Sequence, residues 1–289
     1  MKPSPPSMMS TEDSLPIPKM PETPSELRAK LRVDVERLVS EGGAARAEYM
    51  TSTFLDAGCH VIRIPVGTSQ ASQHDNVETV IRGANQSEGE ELVIGARHDS
   101  NTAGAAVLLG LARVLSGAQF ARTVRLVAFD GGTGAAAYAR RLREQAIPLR
   151  GMVSLDSVGF ISDRSARPSL VARLVPPWRG TFVAVVGDGR AGALVHEVRE
   201  AFSSGTRLDA QAHAVPSVFP LVSTSDQRAF ANEGFHAVLL TDTGPLRNRR
   251  LPSAKDLPSM VSYDAMADVV FGLAAVVARL ASPRVEASA

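Results

Sequence analysis

From residue 27 onward the chain switches between two periodicities. Leu27, Leu31, Val35 and Leu38 recur at three- and four-residue spacing, which marks a helix with one apolar face. Thr23-Pro24-Ser25-Glu26 stands directly before them. Thr23 suits the cap, Pro24 the first helical position, and Glu26 the far corner of a capping box. A second helix is expected over 44–55, closing near Ala57-Gly58. Residues 60–66 alternate like a strand, 67–75 read as a polar turn, and 76–81 and 91–96 read as two more strands.

Beyond residue 96, strand-length and helix-length apolar segments take turns. Helices are expected over 103–115, 135–145, 191–202 and 263–280, and strands over 123–129, 151–156, 182–186 and 235–241. Residues 162–180, with prolines, arginines and Trp178, read as a long excursion. The alternation predicts an α/β fold, a three-layer sandwich whose mixed, mostly parallel central sheet lies between helices. Such sheets bind ligands at the carboxyl ends of their strands, so the polar residues just after each strand are where chemistry belongs. No repeat or linker divides residues 23–289, which are read as one domain.

Composition excludes several function classes. At 44% hydrophobic and 21% charged, the chain is an ordinary globular one. A formal charge of +1 argues against a nucleic-acid partner, and the short run Arg247-Asn248-Arg249-Arg250 reads as a solvated loop. No long uncharged apolar run suggests a membrane span. Residues 1–22, broken by prolines and without an apolar stretch, are read as a disordered tail rather than a secretory signal. With Cys59 as the one cysteine, this points to a cytoplasmic setting, and the alanine- and arginine-rich usage to a bacterial source.

Four expected strand ends carry polar residues: Arg97-His98-Asp99-Ser100-Asn101, Asp130-Gly131-Gly132-Thr133, Asp156-Ser157 and Asp242-Thr243. A fifth polar segment, Thr224-Ser225-Asp226-Gln227, precedes a helix. Residues 92–100 resemble the "GAHYDS" strand end of M28-family zinc aminopeptidases, and Asn101-Thr102-Ala103-Gly104 the tail of that family's "DDNASG" element. Residues 122–129 resemble "RTVRFVAF", residues 151–159 the strand that ends in a carboxylate ligand, and Ser225-Asp226-Gln227 the "SDH" motif. Residues 241–264 resemble "TDTAPxRNPHYHTPxDTPDxxDY". These matches run in family order from about residue 44 to 281, so the resemblance implies a zinc-exopeptidase-like fold.

The resemblance also implies two zinc ions, held by histidines and carboxylates, and a glutamate that activates water. Here the metal-touching positions depart from the family. Arg97 stands where the first histidine ligand belongs, and a guanidinium cannot ligate zinc. Ser100 stands at the bridging aspartate, Gly132 and Thr133 at the paired glutamates, and Pro252 at the last histidine. Asp156 alone keeps a ligand position. No catalytic zinc or other cofactor is therefore expected, and Arg97 is expected to stand in for the metal by pairing with Asp156, Asp99 or both. His98, Asp99, Asp156 and Asp226 remain as candidates in a vestigial cleft, with Asp226 also suited to capping the helix after it. The triplet His98-Asp99-Ser100 does not make a catalytic triad, which is an arrangement in space rather than of neighbours. Cys59, His213 and His236 read as structural.

The leading expectation is a pseudoenzyme that binds an unknown protein or a small amine-bearing, peptide-like ligand through this cleft. The first rival is a metal-independent enzyme doing acyl transfer, cyclisation or hydrolysis on an amino-acid-like substrate. The second is a residual zinc aminopeptidase, which requires His98, Asp99, Asp156 and another histidine to converge on one point.

Overall fold

The computed structural model describes residues 23–67, 75–84, 89–161, 180–216, 224–243 and 258–282. Helix α1 (Pro24–Ser40) opens on the expected capping box, with the Thr23 hydroxyl accepting from the Glu26 N–H and Glu26 accepting from the Thr23 N–H. It is followed by α2 (Gly43–Asp56), β1 (Val61–Pro65), β2 (Asp75–Ile81), β3 (Glu91–Arg97), α3 (Thr102–Val114), β4 (Val124–Phe129) and α4 (Gly131–Glu144). Then come β5 (Leu149–Leu155), β6 (Phe182–Gly187), α5 (Gly192–Gly205), β7 (Asp209–Ala214), α6 (Asp226–Asn232), β8 (Ala237–Thr241) and α7 (Tyr263–Ala281).

The eight strands form one sheet in the order β1-β2-β4-β3-β5-β8-β6-β7. Its centre, β4-β3-β5-β8, is parallel. Antiparallel pairing joins β2 to β4, β1 to β2, and β6 to β8, while β6 and β7 run parallel to each other. The expected α/β sandwich with a mixed, mostly parallel sheet is what the chain adopts. Two elements depart from expectation. Strand β7 has no large apolar residue, and as an edge strand that is only partly covered it needs none. Helix α4 starts at Gly131, four residues before its apolar stripe, so Gly132 and Thr133 lie on a helical first turn rather than in a loop.

One face of the sheet is covered by α1, α3 and α7, whose buried leucines, valines and alanines form the larger core. α3 is buried along nearly its whole length, in keeping with its almost uniformly apolar sequence. The opposite face packs α4 and α6 around Phe129, Tyr138 and Phe230, whose ring centroids lie 5.8 to 6.3 Å apart. Gly95 on β3 leaves room for this cluster, because a Cβ there would stand 2.3 Å from the Phe129 ring. Phe230 thereby seats α6 beside the ends of the central strands, which brings Asp226 to the edge where ligands of such sheets bind.

Candidate functional site

The register of the parallel strands aligns their carboxyl ends. Arg97 of β3 pairs with Phe129 of β4, Ala96 with Leu155 of β5, and Leu155 with Leu240 of β8. His98, Asp130, Asp156 and Asp242 accordingly follow at one edge of the sheet. Asn101 joins two of these ends. Its Oδ1 caps α3 by accepting from the Gly104 N–H (3.0 Å), while its Nδ2 donates to the Leu155 carbonyl (2.9 Å) and to Asp156 Oδ1 (3.3 Å). Ser157, next after Asp156, adopts a left-handed backbone with φ of 54°. Its carbonyl accepts from the Asp242 N–H at 2.6 Å. Asp242, fully buried, in turn accepts at its Oδ2 from the Phe160 N–H (2.6 Å), so it stitches β8 to the loop after β5. Thr243 is the matching left-handed residue after β8, with φ of 57°.

The centre of the constellation is a guanidinium. Arg97 Nε donates to Asp226 Oδ1 at 2.6 Å, and its Nη2 donates to the Thr224 carbonyl at 3.0 Å. The ion-pair partner is thus Asp226, not the expected Asp156 or Asp99. Those two carboxylates lie within electrostatic range and act on Arg97 through space. The helix-cap role suggested for Asp226 is also displaced: Ser225 is the cap residue of α6 and Asp226 the first residue inside it. The 129 residues that separate Arg97 from Asp226 explain why sequence proximity pointed elsewhere.

Charge is tightly constrained here. The Asp226 side chain is 3% exposed, and burial pushes its carboxyl up to about 6. Arg97 pulls it back in part, and Asp156 and Asp99 add to the rise. Burial works against the Arg97 cation as well, but Asp226, Asp156 and Asp99 outweigh it, so its pKa rises. The difference between the partners follows from exposure: Arg97 keeps 28% of its side chain in water and Asp226 almost none.

Gly132 completes the arrangement. A Cβ at that position would stand 3.3 Å from Arg97 Nη2, so the guanidinium rests against the bare first turn of α4. Asp99 lies over the neighbouring residue, with its Oδ2 3.4 Å from where a Cβ of Gly131 would be. Gly131 itself has φ of 66°, a conformation that glycine adopts without strain. Asp99 near the positive end of α4 is favourable, whereas Arg97 there is not, so the cation depends on its carboxylates. Ser100 is exposed and donates to Asp99 Oδ1 (3.1 Å); Gly132 and Thr133 are exposed too.

His98 is not brought into this group. It is 2% exposed, and its Nε2 meets the Asp75 carbonyl at the start of β2 (3.1 Å), while its Nδ1 has no partner. Burial lowers its pKa, against the Asp75 bond and the charges of Asp130 and Asp99. It is a neutral anchor between β3 and β2. The carbonyls of His98 and Asp99 are held from below by Arg46 of α2, which is 7% exposed and also donates to the Leu38 carbonyl at 2.7 Å. Arg46 carries no sequence signal of this role beyond lying in a helix that otherwise buries apolar residues. Gln227 is 1% exposed with both amide atoms unpartnered. Cys59 is half-buried beside the larger core, His213 lies on β7, and His236 is exposed just before β8 rather than inside it. Pro252, Trp178, Arg247, Asn248, Arg249, Arg250 and Asp256 lie outside the described residues.

A three-layer α/β sandwich whose polar residues gather after β3, β5 and β8 defines the class, and the chain belongs to peptidase family M28, whose family model matches residues 75–277. It is 25% identical over 256 residues to the Escherichia coli (strain K12) protein YfbL, itself uncharacterized, with 78% of this chain and 77% of YfbL covered. Solved structures with the same fold include LapB of Legionella pneumophila (TM-score 0.69, 17% identity, covering 93% of this chain and 78% of that one). Another is the glutaminyl cyclase of Fimbriiglobus ruber (TM-score 0.62, 18% identity, covering 96% and 99%).

Among the described residues, the donor set does not fit the zinc ions that the family resemblance implies. Zinc wants about four imidazole, thiolate or carboxylate donors around one point. Among the described residues no three histidines, cysteines, aspartates or glutamates are grouped to hold a metal ion. The group that Asp226 binds is a guanidinium, and His98 is turned away toward Asp75.

Proposed function

We propose that this M28-family protein is a pseudoenzyme, a binding protein that uses the strand-end cleft without catalytic zinc. The observation that carries this reading is the Arg97–Asp226 ion pair at 2.6 Å, which sets a fixed cation among the strand-end carboxylates. A metal ion there would face that cation as well as the acids, and like charges at such range repel strongly. The cleft offers chemistry of both signs to a ligand. Arg97 Nη1 makes no hydrogen bond among the described residues, and Asp99 is exposed. An amine-bearing, peptide-like ligand matches this: its ammonium suits the carboxylates and its carbonyl or carboxylate oxygen suits Nη1. The test is elemental analysis of protein purified without chelator or affinity metal, beside hydrolysis of chromogenic aminoacyl anilides. Less than about a tenth of an equivalent of zinc and no hydrolysis are expected. One or two tightly held equivalents, with activity that a chelator removes, would overturn the reading.

A second reading has one observation in its favour. A carboxyl titrating at about 6, as Asp226 does, suits proton transfer near neutrality. Glutaminyl cyclases among the structural neighbours make cyclisation of an amino-acid-like substrate the reaction to assay, here in the absence of metal. Product formed without metal by the wild type and lost in Asp226→Asn would favour it.

A further inference from the structure

We infer that Arg97 and Gly132 form a matched pair, in which Arg97 is the cleft's own counter-cation and Gly132 supplies the space for it, so that removing the guanidinium leaves a site for a small planar organic cation. Three observations converge on this. Arg97 makes both of its hydrogen bonds to acceptors of the α6 segment, Asp226 Oδ1 and the Thr224 carbonyl. Three carboxylates, on Asp226, Asp156 and Asp99, act on it together. Its Nη2 lies 3.3 Å from the point a side chain at position 132 would begin, so any residue larger than alanine there competes with the guanidinium for the same volume.

The energetic logic is that of a buried pair. Taking away one partner leaves the other charge without compensation, which costs more than the pair contributes net. Asp226 has too little exposure to recover through water. A free guanidinium of the right shape can refill the space, because it brings the same planar donors without the tether. The inference rests on reading the cleft as metal-free, but its test is separate. Zinc in the wild-type protein would sink the pseudoenzyme reading, whereas the measurements below depend only on stability.

The experiment is thermal unfolding of the full chain as wild type, Arg97→Ala, Gly132→Val and the double variant, near pH 7.5. Arg97→Ala is expected to lower Tm by roughly 5 °C. Methylguanidinium chloride at tens of millimolar is expected to restore at least half of that loss, and tetramethylammonium chloride at equal ionic strength to restore none. Wild type should respond to neither. Gly132→Val should lower Tm in the wild-type background and much less in the Arg97→Ala background, because the crowded group is then gone. Should Arg97→Ala not fold, Arg97→Lys takes its place: it keeps the charge without the planar fork, so a partial loss that methylguanidinium does not deepen is expected. Equal Tm values for wild type and Arg97→Ala, equal rescue by the two salts, or an undiminished cost of Gly132→Val in the double variant would each overturn the inference.

Discussion

At 3% exposure the Asp226 side chain has little water to stabilise its charge, and Arg97 Nε at 2.6 Å compensates only in part. The carboxyl titrates at about 6 in the fold, against an ordinary value of 3.8. The folded chain therefore keeps a proton that the unfolded chain gives up in this interval. The stabilisation from that proton is complete below about pH 4 and is lost as pH rises through 6. Asp226→Asn removes the titration. In urea unfolding across this range, the stability difference of wild type over D226N should be largest near pH 4 and shrink by up to roughly 3 kcal/mol by pH 6.5. A difference that grows with pH would mean the ion pair, not burial, governs this residue. Little of this was legible in the sequence. Motif order alone pointed to Arg97, Ser100, Gly132 and Thr133 as replaced ligand positions, an expectation that the proposed zinc analysis tests. The choice of Asp226 over Asp156 and Asp99 as partner could not, because it depends on where Phe230 seats α6.

Helices and strands were legible wherever one face is apolar. α1, α2, α3, α5 and α7, and all the strands except β7, fall within a few residues of the ranges their periodicity predicts. α4 begins early because its first turn, Gly131-Gly132-Thr133, lies against Arg97 and Asp99 rather than the core, so it shows no stripe. α3 is the element that ties the fold to the site. It runs from the strand-end edge into the larger core, and its cap residue Asn101, 6% exposed, also holds the Leu155 carbonyl and Asp156. Asn101→Ala removes the cap bond to the Gly104 N–H together with the bonds to the Leu155 carbonyl and Asp156. A loss of about 2 kcal/mol is expected in denaturant unfolding, with the m-value unchanged. A loss below about 0.5 kcal/mol would show that α3 is held by its packing alone.

At the scale of the whole molecule, the question is whether any of the stability comes from a bound metal. The fold has a continuous apolar core on one sheet face and an aromatic cluster on the other, and its polar edge is closed by side chains: Asn101, Asp242, Arg46 and the Arg97–Asp226 pair. On the pseudoenzyme reading, these contacts leave zinc no structural task. Linkage makes this measurable. A metal present at 1,000 times its Kd would add about 4 kcal/mol to the folded state. For a chain of this size that corresponds to a Tm change of several degrees, close to 10 °C. Prolonged incubation with a strong chelator, and separately with a modest excess of zinc, should therefore move the Tm of the wild type by less than about 1 °C in either direction. A fall of several degrees with chelator, restored by zinc, would place a metal in the folded chain and oblige Arg97 to occupy a different position when that metal is bound.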